Sequence, residues 1–236
     1  MNIIVSGFPH CGTTILQKII SDCNGVFAHR DNKNRLRERI IVPQYSPNRN
    51  CKNGEPKHFI TKWPFALDLD DRHREYFKIF IVRNPLYVFS SLNKRNMNTK
   101  NTLQTELDKH TVEMYKKTLK LYDSIIEDNK NLKLLYRDLF LPTNLQRIEK
   151  ALDIEFPTDI KNSQQTKVEF KNKPSNHFAY RMEQLSKPFQ NMNHLSNLTL
   201  TNNQVSEIFE CDFINKYFSE IYMMKPKITL MKKLEL

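Results

Sequence analysis

The stretch Met1-Asn-Ile-Ile-Val-Ser-Gly7-Phe-Pro-His-Cys-Gly12-Thr-Thr-Ile-Leu16 decides the fold. Ile3, Ile4 and Val5 form an unbroken β-branched run that suits a strand buried on both faces. From Thr13 through Ile20 apolar residues return at helical spacing, so a helix follows. Between the two, Gly7 and Gly12 bracket Phe8 to Cys11, and strand passes to helix through a tight turn. The first amides of such a helix, around Gly12 to Thr14, have no intrahelical acceptor and sit at the positive end of the helix dipole. The turn is therefore built to receive an anion.

The frame Gly7-x-x-x-x-Gly12 is that of the P-loop of nucleotide hydrolases, which continues with a lysine for the outer phosphates and a hydroxyl for magnesium. Thr13 stands at the lysine position. Pro9-His10-Cys11-Gly12-Thr13-Thr14 instead resembles the Pro-Lys-Ser-Gly-Thr-Thr loop of sulfotransferases that use 3'-phosphoadenosine 5'-phosphosulfate (PAPS), where it holds the 5'-phosphosulfate. The resemblance implies that Pro9, His10, Cys11, Gly12, Thr13 and Thr14 bind the cofactor.

Three further segments match in order. Lys78-Ile-Phe-Ile-Val-Arg-Asn-Pro-Leu-Tyr-Val-Phe-Ser-Ser-Leu92 reads as a strand ending at Arg83, with Pro85 early in the next helix, where a missing N–H costs little. Arg83 then emerges at the carboxyl end of a strand, the ligand side of open α/β sheets, and Ser91 lies two turns into the helix. An arginine fork with a hydroxyl suits a phosphate monoester. This segment is similar to the one that grips the 3'-phosphate of PAPS, with the family's Arg and Ser falling on Arg83 and Ser91. Leu132-Lys-Leu-Leu-Tyr-Arg-Asp-Leu139 resembles the family's strand ending in Tyr-Glu-Asp-Leu, which implies that Tyr136 lies near the adenine. Thr61-Lys62-Trp63-Pro64 is similar to a lysine-to-proline stretch that many members place beside the substrate.

The activity implied by the resemblance is transfer of a sulfuryl group from PAPS to an acceptor hydroxyl or amine, leaving 3',5'-adenosine diphosphate, with no metal required. The acceptor class is open: a carbohydrate, a peptide, a lipid or a small alcohol. His10 replaces the lysine or arginine that most members set against the leaving phosphate. An imidazole can donate there, and Lys62 or Lys18 can assist. In the protein-tyrosine members a glutamate shortly after the loop's helix takes the acceptor's proton; the resemblance sets its position near Arg30 and Asp31, which makes Asp31 the first candidate base, with His29 and His58 behind it. The cytosolic members' Arg-Lys-Gly-x-x-Gly lid has no counterpart, since no glycine follows Gly54; Lys171, Lys173 and Arg181 are the candidates to cover the nucleotide.

Composition is compatible with these assignments. The 236 residues, 39% apolar, suit one α/β domain spanning 1–236: a three-layer sandwich with a central parallel sheet, its core at 1–155. Strands are expected at 2–6, 57–62, 77–82 and 132–136, with helices at 13–22, 65–75, 85–95, 102–128 and 143–152. A polar, Asn-rich segment at 157–200 follows, then a helix at 201–222 docking on the core. No apolar run is long enough for a membrane span and no leader precedes Ile3, so the expectation is a cytoplasmic protein. Cys11, Cys23, Cys51 and Cys211 lack metal-ligand spacing and read as reduced thiols, Cys11 as a loop-filling residue.

A net charge of +11 favours a polyanionic ligand. Nucleic acid competes for that role, through the basic run Arg30 to Arg39, but no nucleic-acid-binding signature accompanies the run and no nucleic-acid partner is expected. Two alternatives to the sulfotransferase remain: a P-loop nucleotide kinase or hydrolase with a degenerate loop, and a non-catalytic polyanion binder.

Overall fold

The computed structural model describes residues 1–28, 57–64, 74–100, 106–158, 198–210 and 214–218. The chain divides into two compact units, Met1–Val82 with Lys117–Lys161, and Arg83–Lys116 with Asn162–Leu236.

The first unit holds a five-stranded parallel sheet: β1 (Asn2–Gly7), β2 (Val26–Ala28), β3 (His58–Pro64), β4 (Phe77–Val82) and β5 (Asn131–Leu135), in the order β2-β3-β1-β4-β5. Central β1 is buried on both faces; Ile3, Ile4, Val5 and Ser6 expose nothing, which is why its sequence shows no alternation. Its register places Val5 opposite Lys62 on β3 and opposite Ile79 on β4. The β1–β4 approach dictates Gly7: a Cβ there would sit 2.2 Å from the Ile81 carbonyl oxygen. From β1 the chain leaves toward the β2 edge, and from β4 toward the β5 edge. The carboxyl ends of these adjacent strands therefore form a topological switch point, where ligands of α/β sheets bind.

In this unit α1 (Thr13–Ser21) buries Leu16, Ile19 and Ile20, spaced to face one side. The second unit opens with α2 (Pro85–Lys100). The next helix, α3 (Lys109–Ser124), belongs to the second unit up to Lys116 and to the first beyond it. After β5 come a 3-10 turn (Tyr136–Asp138) and α4 (Pro142–Leu152), with proline in the first turn and Asp153 in the left-handed region as cap. The second unit closes with α5 (Asn202–Phe209), begun by a Thr201/Gln204 capping box, and the short α6 (Ile214–Tyr217). Among the described residues no helix is long and apolar enough to cross a membrane.

Several boundaries differ from expectation for local reasons. The helix expected at 102–128 begins at Lys109, because Asp108 accepts from the Thr111 amide at 2.8 Å and caps it. It stops at Ser124, beyond which Asp128 binds the amides of Lys130 and Asn131, each at 2.7 Å, in place of a further helical turn. The helix at 85–95 continues to Lys100. Tyr136 opens the 3-10 turn instead of ending the strand. Of the helix expected at 65–75 only Arg74 and Glu75 are described, and they form a turn. Strand β2 was not anticipated. In place of one helix over 201–222, the structure has two separate helices, α5 and α6.

Candidate functional site

The loop from β1 to α1 turns on one backbone hydrogen bond, from the Cys11 amide to the Phe8 carbonyl at 3.0 Å. Two of its residues adopt left-handed backbone: His10 (φ 69°) and Gly12 (φ 95°). Gly12 is the N-cap of α1 and has no side chain with which to cap it, and no acidic residue stands in the first turn. The helix's own first turn therefore sets no negative charge against its dipole. A Cβ on Gly12 would fall 2.4 Å and 2.5 Å from two ring carbons of buried Tyr136, so the tyrosine ring backs the loop at its tightest point.

The charge that the loop lacks at Thr13 arrives from the neighbouring strand. Lys62 Nζ donates to Thr14 Oγ1 at 3.0 Å, although the lysine is only 4% exposed. An ammonium group can only donate, so the Thr14 oxygen is the acceptor here and its own proton points away from Lys62. The β1–β3 register fixes this arrangement. Lys62 lies two residues before Pro64, which pairs with Gly7 where the loop begins.

The residues expected to bind the cofactor are not equivalent. Pro9 and His10 are half-buried in the loop, and so is Thr14. Cys11 has no exposed surface and its amide donates to the Phe8 carbonyl, so it fills the turn. Thr13 is also buried. Lys18 pairs with Asp22 at 2.5 Å one turn further along α1, which draws its ammonium away from the loop. Asp31 and His29 lie outside the described residues, as do the basic run from Arg30 to Arg39 and the lid candidates Lys171, Lys173 and Arg181.

His58, by contrast, is a correction. It opens β3 and pairs with Val26, whereas the loop leaves the far ends of β1 and β3. The six strand steps to Pro64 amount to roughly 20 Å, which removes His58 from the list of bases serving the loop. Burial first, then the N-terminal amine and Lys57, push its pKa down from 6.5 to about 4. It is a neutral histidine of the sheet's amino end, 3.4 Å from the Met1 nitrogen through Nδ1.

In the second unit Arg83 is the first residue after β4. Asn84 starts α2, its side-chain oxygen accepting from the Leu86 amide at 3.0 Å and its carbonyl from Tyr87 at 3.1 Å. Arg83 is 9% exposed and its guanidinium lies 5.6 Å from the centre of the Tyr87 ring. Its carbonyl accepts from the buried hydroxyl of Tyr115 on α3 at 2.7 Å. Ser91 is half-buried on α2. Its neighbour Ser90 is committed to structure, accepting from the Thr199 amide at 2.7 Å, while Asn93 donates at 2.8 Å to both the Thr199 carbonyl and Gln204 Oε1. Tyr87, Tyr115, Ser90 and Asn93 escaped sequence reasoning. Each acts through a partner at least one helical turn away, and only the Asn84-Pro85 pair carried a local signal of the cap.

No protein-family model matches the chain, and no curated protein matches it. Among solved structures, it is similar to the mouse sulfotransferase SULT7A1 complexed with PAP, at 16% identity over 96% of this chain and 82% of that one, with a TM-score of 0.51. Retinol dehydratase, in complexes with retinol and PAP and with androsterone and inactive cofactor PAP, aligns at 14% identity in both cases. These alignments cover 64% and 97% of this chain and 59% and 79% of those chains, with TM-scores of 0.36 and 0.37, too low to add weight. The likeness to the mouse enzyme is one of fold: the chain has the α/β fold of a sulfotransferase.

Proposed function

We propose that this protein transfers a sulfuryl group from PAPS to a hydroxyl or amine acceptor, leaving 3',5'-adenosine diphosphate. The observation that carries the reading is the contact of Lys62 with Thr14 at the uncapped, acid-free N-terminus of α1. It puts a cation at the mouth of an anion cradle whose own sequence lacks one.

The types of donor present suit the groups of a bisphosphorylated nucleotide. The α1 amides around Gly12 to Thr14, with the Thr14 hydroxyl, would hold the 5'-phosphate, and Arg83 with Ser91 the 3'-phosphate. PAPS would supply the activated sulfuryl group, and the chain's residues would hold it in line and stabilise charge on the leaving oxygen. His10 and Lys62 are the donors assigned to that oxygen. Asp31 is assigned as the base for the acceptor, and Tyr136, whose observed contact is with Gly12, to the adenine side; these two assignments rest on the resemblance alone.

Calorimetric titration with 3',5'-adenosine diphosphate, 5'-AMP and magnesium-ATP, on wild type and Arg83→Ala, tests the reading. A clear preference for the 3',5'-bisphosphate that is lost in Arg83→Ala is the expected result. Tighter binding of magnesium-ATP would replace the reading with that of a nucleotide kinase or hydrolase. Equal, steeply salt-dependent binding of all three would replace it with that of a polyanion binder.

A further inference from the structure

Arg83 does not stand alone on its side of α2. Its guanidinium lies over Tyr87, and Tyr87, Ser91 and Lys94 follow at i, i+4 and i+7, within about 60° of one another around the helix. Helical side chains lean toward the N-terminus. The stem of Lys94 therefore runs back over the turn containing Ser91, toward the end of α2 from which Arg83 projects. Lys94 is half-buried, and its pKa is lowered by burial and then by the positive charge of Arg83. Among the described residues it has no hydrogen bond or ion pair, and no carboxylate offsets the field of Arg83 at its ammonium. Two cations held near each other in a half-buried setting repel, and an anion shared between them turns that cost into attraction.

We propose that Lys94 is a ligand of the 3'-phosphate, completing with Arg83 and Ser91 a three-residue site carried by the start of α2. This rests on the function proposed above. A phosphate monoester offers three terminal oxygens, which match a guanidinium fork, a hydroxyl and an ammonium. Neither the loop resemblance nor the Arg-to-Ser spacing pointed to Lys94. It is found because the helix brings it to the face that Arg83 and Ser91 share.

The test is titration of the full chain, as wild type, Lys94→Met and Lys94→Arg, with 3',5'-adenosine diphosphate and with 5'-AMP, which lacks the 3'-phosphate. Thermal unfolding of each variant without ligand accompanies it. Lys94→Met should weaken 3',5'-adenosine diphosphate by about tenfold or more, as expected for a lost charged hydrogen bond. It should leave 5'-AMP unchanged, and Lys94→Arg should restore most of the affinity. If wild type prefers the bisphosphate and Lys94→Met keeps that preference, the Lys94 assignment is overturned and the function stands. Equal weakening toward both nucleotides also overturns it, because a packing role would act on both. No preference in wild type overturns the function and the assignment together.

Discussion

Replacing Gly12 with alanine tests the geometry of the anion loop most directly. Two costs can be worked from the structure. At φ 95° an L-residue pays about 1–2 kcal/mol for left-handed backbone. The new methyl would also lie 2.4 Å from the Tyr136 ring, and forcing a buried ring aside costs about 1–3 kcal/mol by overpacking. The expected destabilisation is therefore about 2–5 kcal/mol, or a fall of about 1 M or more in the urea midpoint. The chain has one tryptophan, Trp63, on β3 opposite Ser6, so its fluorescence reports the unit that contains the loop. In a Tyr136→Ala background the steric part vanishes while the backbone part stays, and Gly12→Ala should then cost only about 1–2 kcal/mol. Equal cost in the two backgrounds would refute the packing of Tyr136 on Gly12. No cost in either would refute the left-handed cap.

His10→Gly relieves a left-handed non-glycine residue, so Trp63-reported stability should rise by about 0.5–1 kcal/mol while turnover falls by about a hundredfold or more. His10→Ala should likewise slow turnover yet barely alter affinity for the product nucleotide; unchanged turnover in both removes the leaving-group role. Lys62→Met should lower single-turnover rate by about 10²–10³-fold with a much smaller effect on product-nucleotide binding, and an equal loss in both measurements would make Lys62 a binding residue only. Because the folded-state pKa of His58 is depressed to about 4 from 6.5, the neutral ring contributes stability that is fully present above pH 6.5. That contribution is lost as pH falls through about 4, by up to about 3 kcal/mol, and urea titrations of His58→Gln should show a flatter acid limb.

The features legible in the sequence are those whose cause is local. The β1–α1 turn could be read because β-branched residues, two glycines and a helical repeat follow one another within sixteen residues. The start of α2 could be read from Asn84-Pro85. Features set by partners distant in the chain were hidden. Gly7 is required by the Ile81 carbonyl, seventy-four positions on, and Gly12 by Tyr136. Strand β2 is only three residues long, and its pairing with β3 from His58 to Ile60 is what makes it a strand. The helix at 102–128 was read too long because hydrophobic spacing continues past both ends, while Asp108 and Asp128 bind backbone amides and end it. His58 could already have been set aside from the sequence, because the strand expected at 57–62 of a parallel sheet puts it at the end away from the loop.

The displaced lysine ties these observations into one account of the loop. With Gly12 left-handed, the next residue enters α1 at once, and Thr13 is 4% exposed there. A long cationic side chain at that position would have to escape a packed wall before reaching a phosphate. Position 62 has no such difficulty. Its backbone is fixed by pairing with Val5 of β1, its side chain is buried, and its ammonium already rests on Thr14. A cation held this way loses little side-chain freedom when an anion arrives, and that freedom is a main cost of recruiting a surface lysine. The loop itself is then free of the need to carry charge, and a residue able to donate a hydrogen bond from a left-handed position suffices, which describes His10. Under the proposed function, dividing the task between a strand-held ammonium and a loop-held imidazole would let the cradle lack the usual lysine and still meet a phosphosulfate with charge.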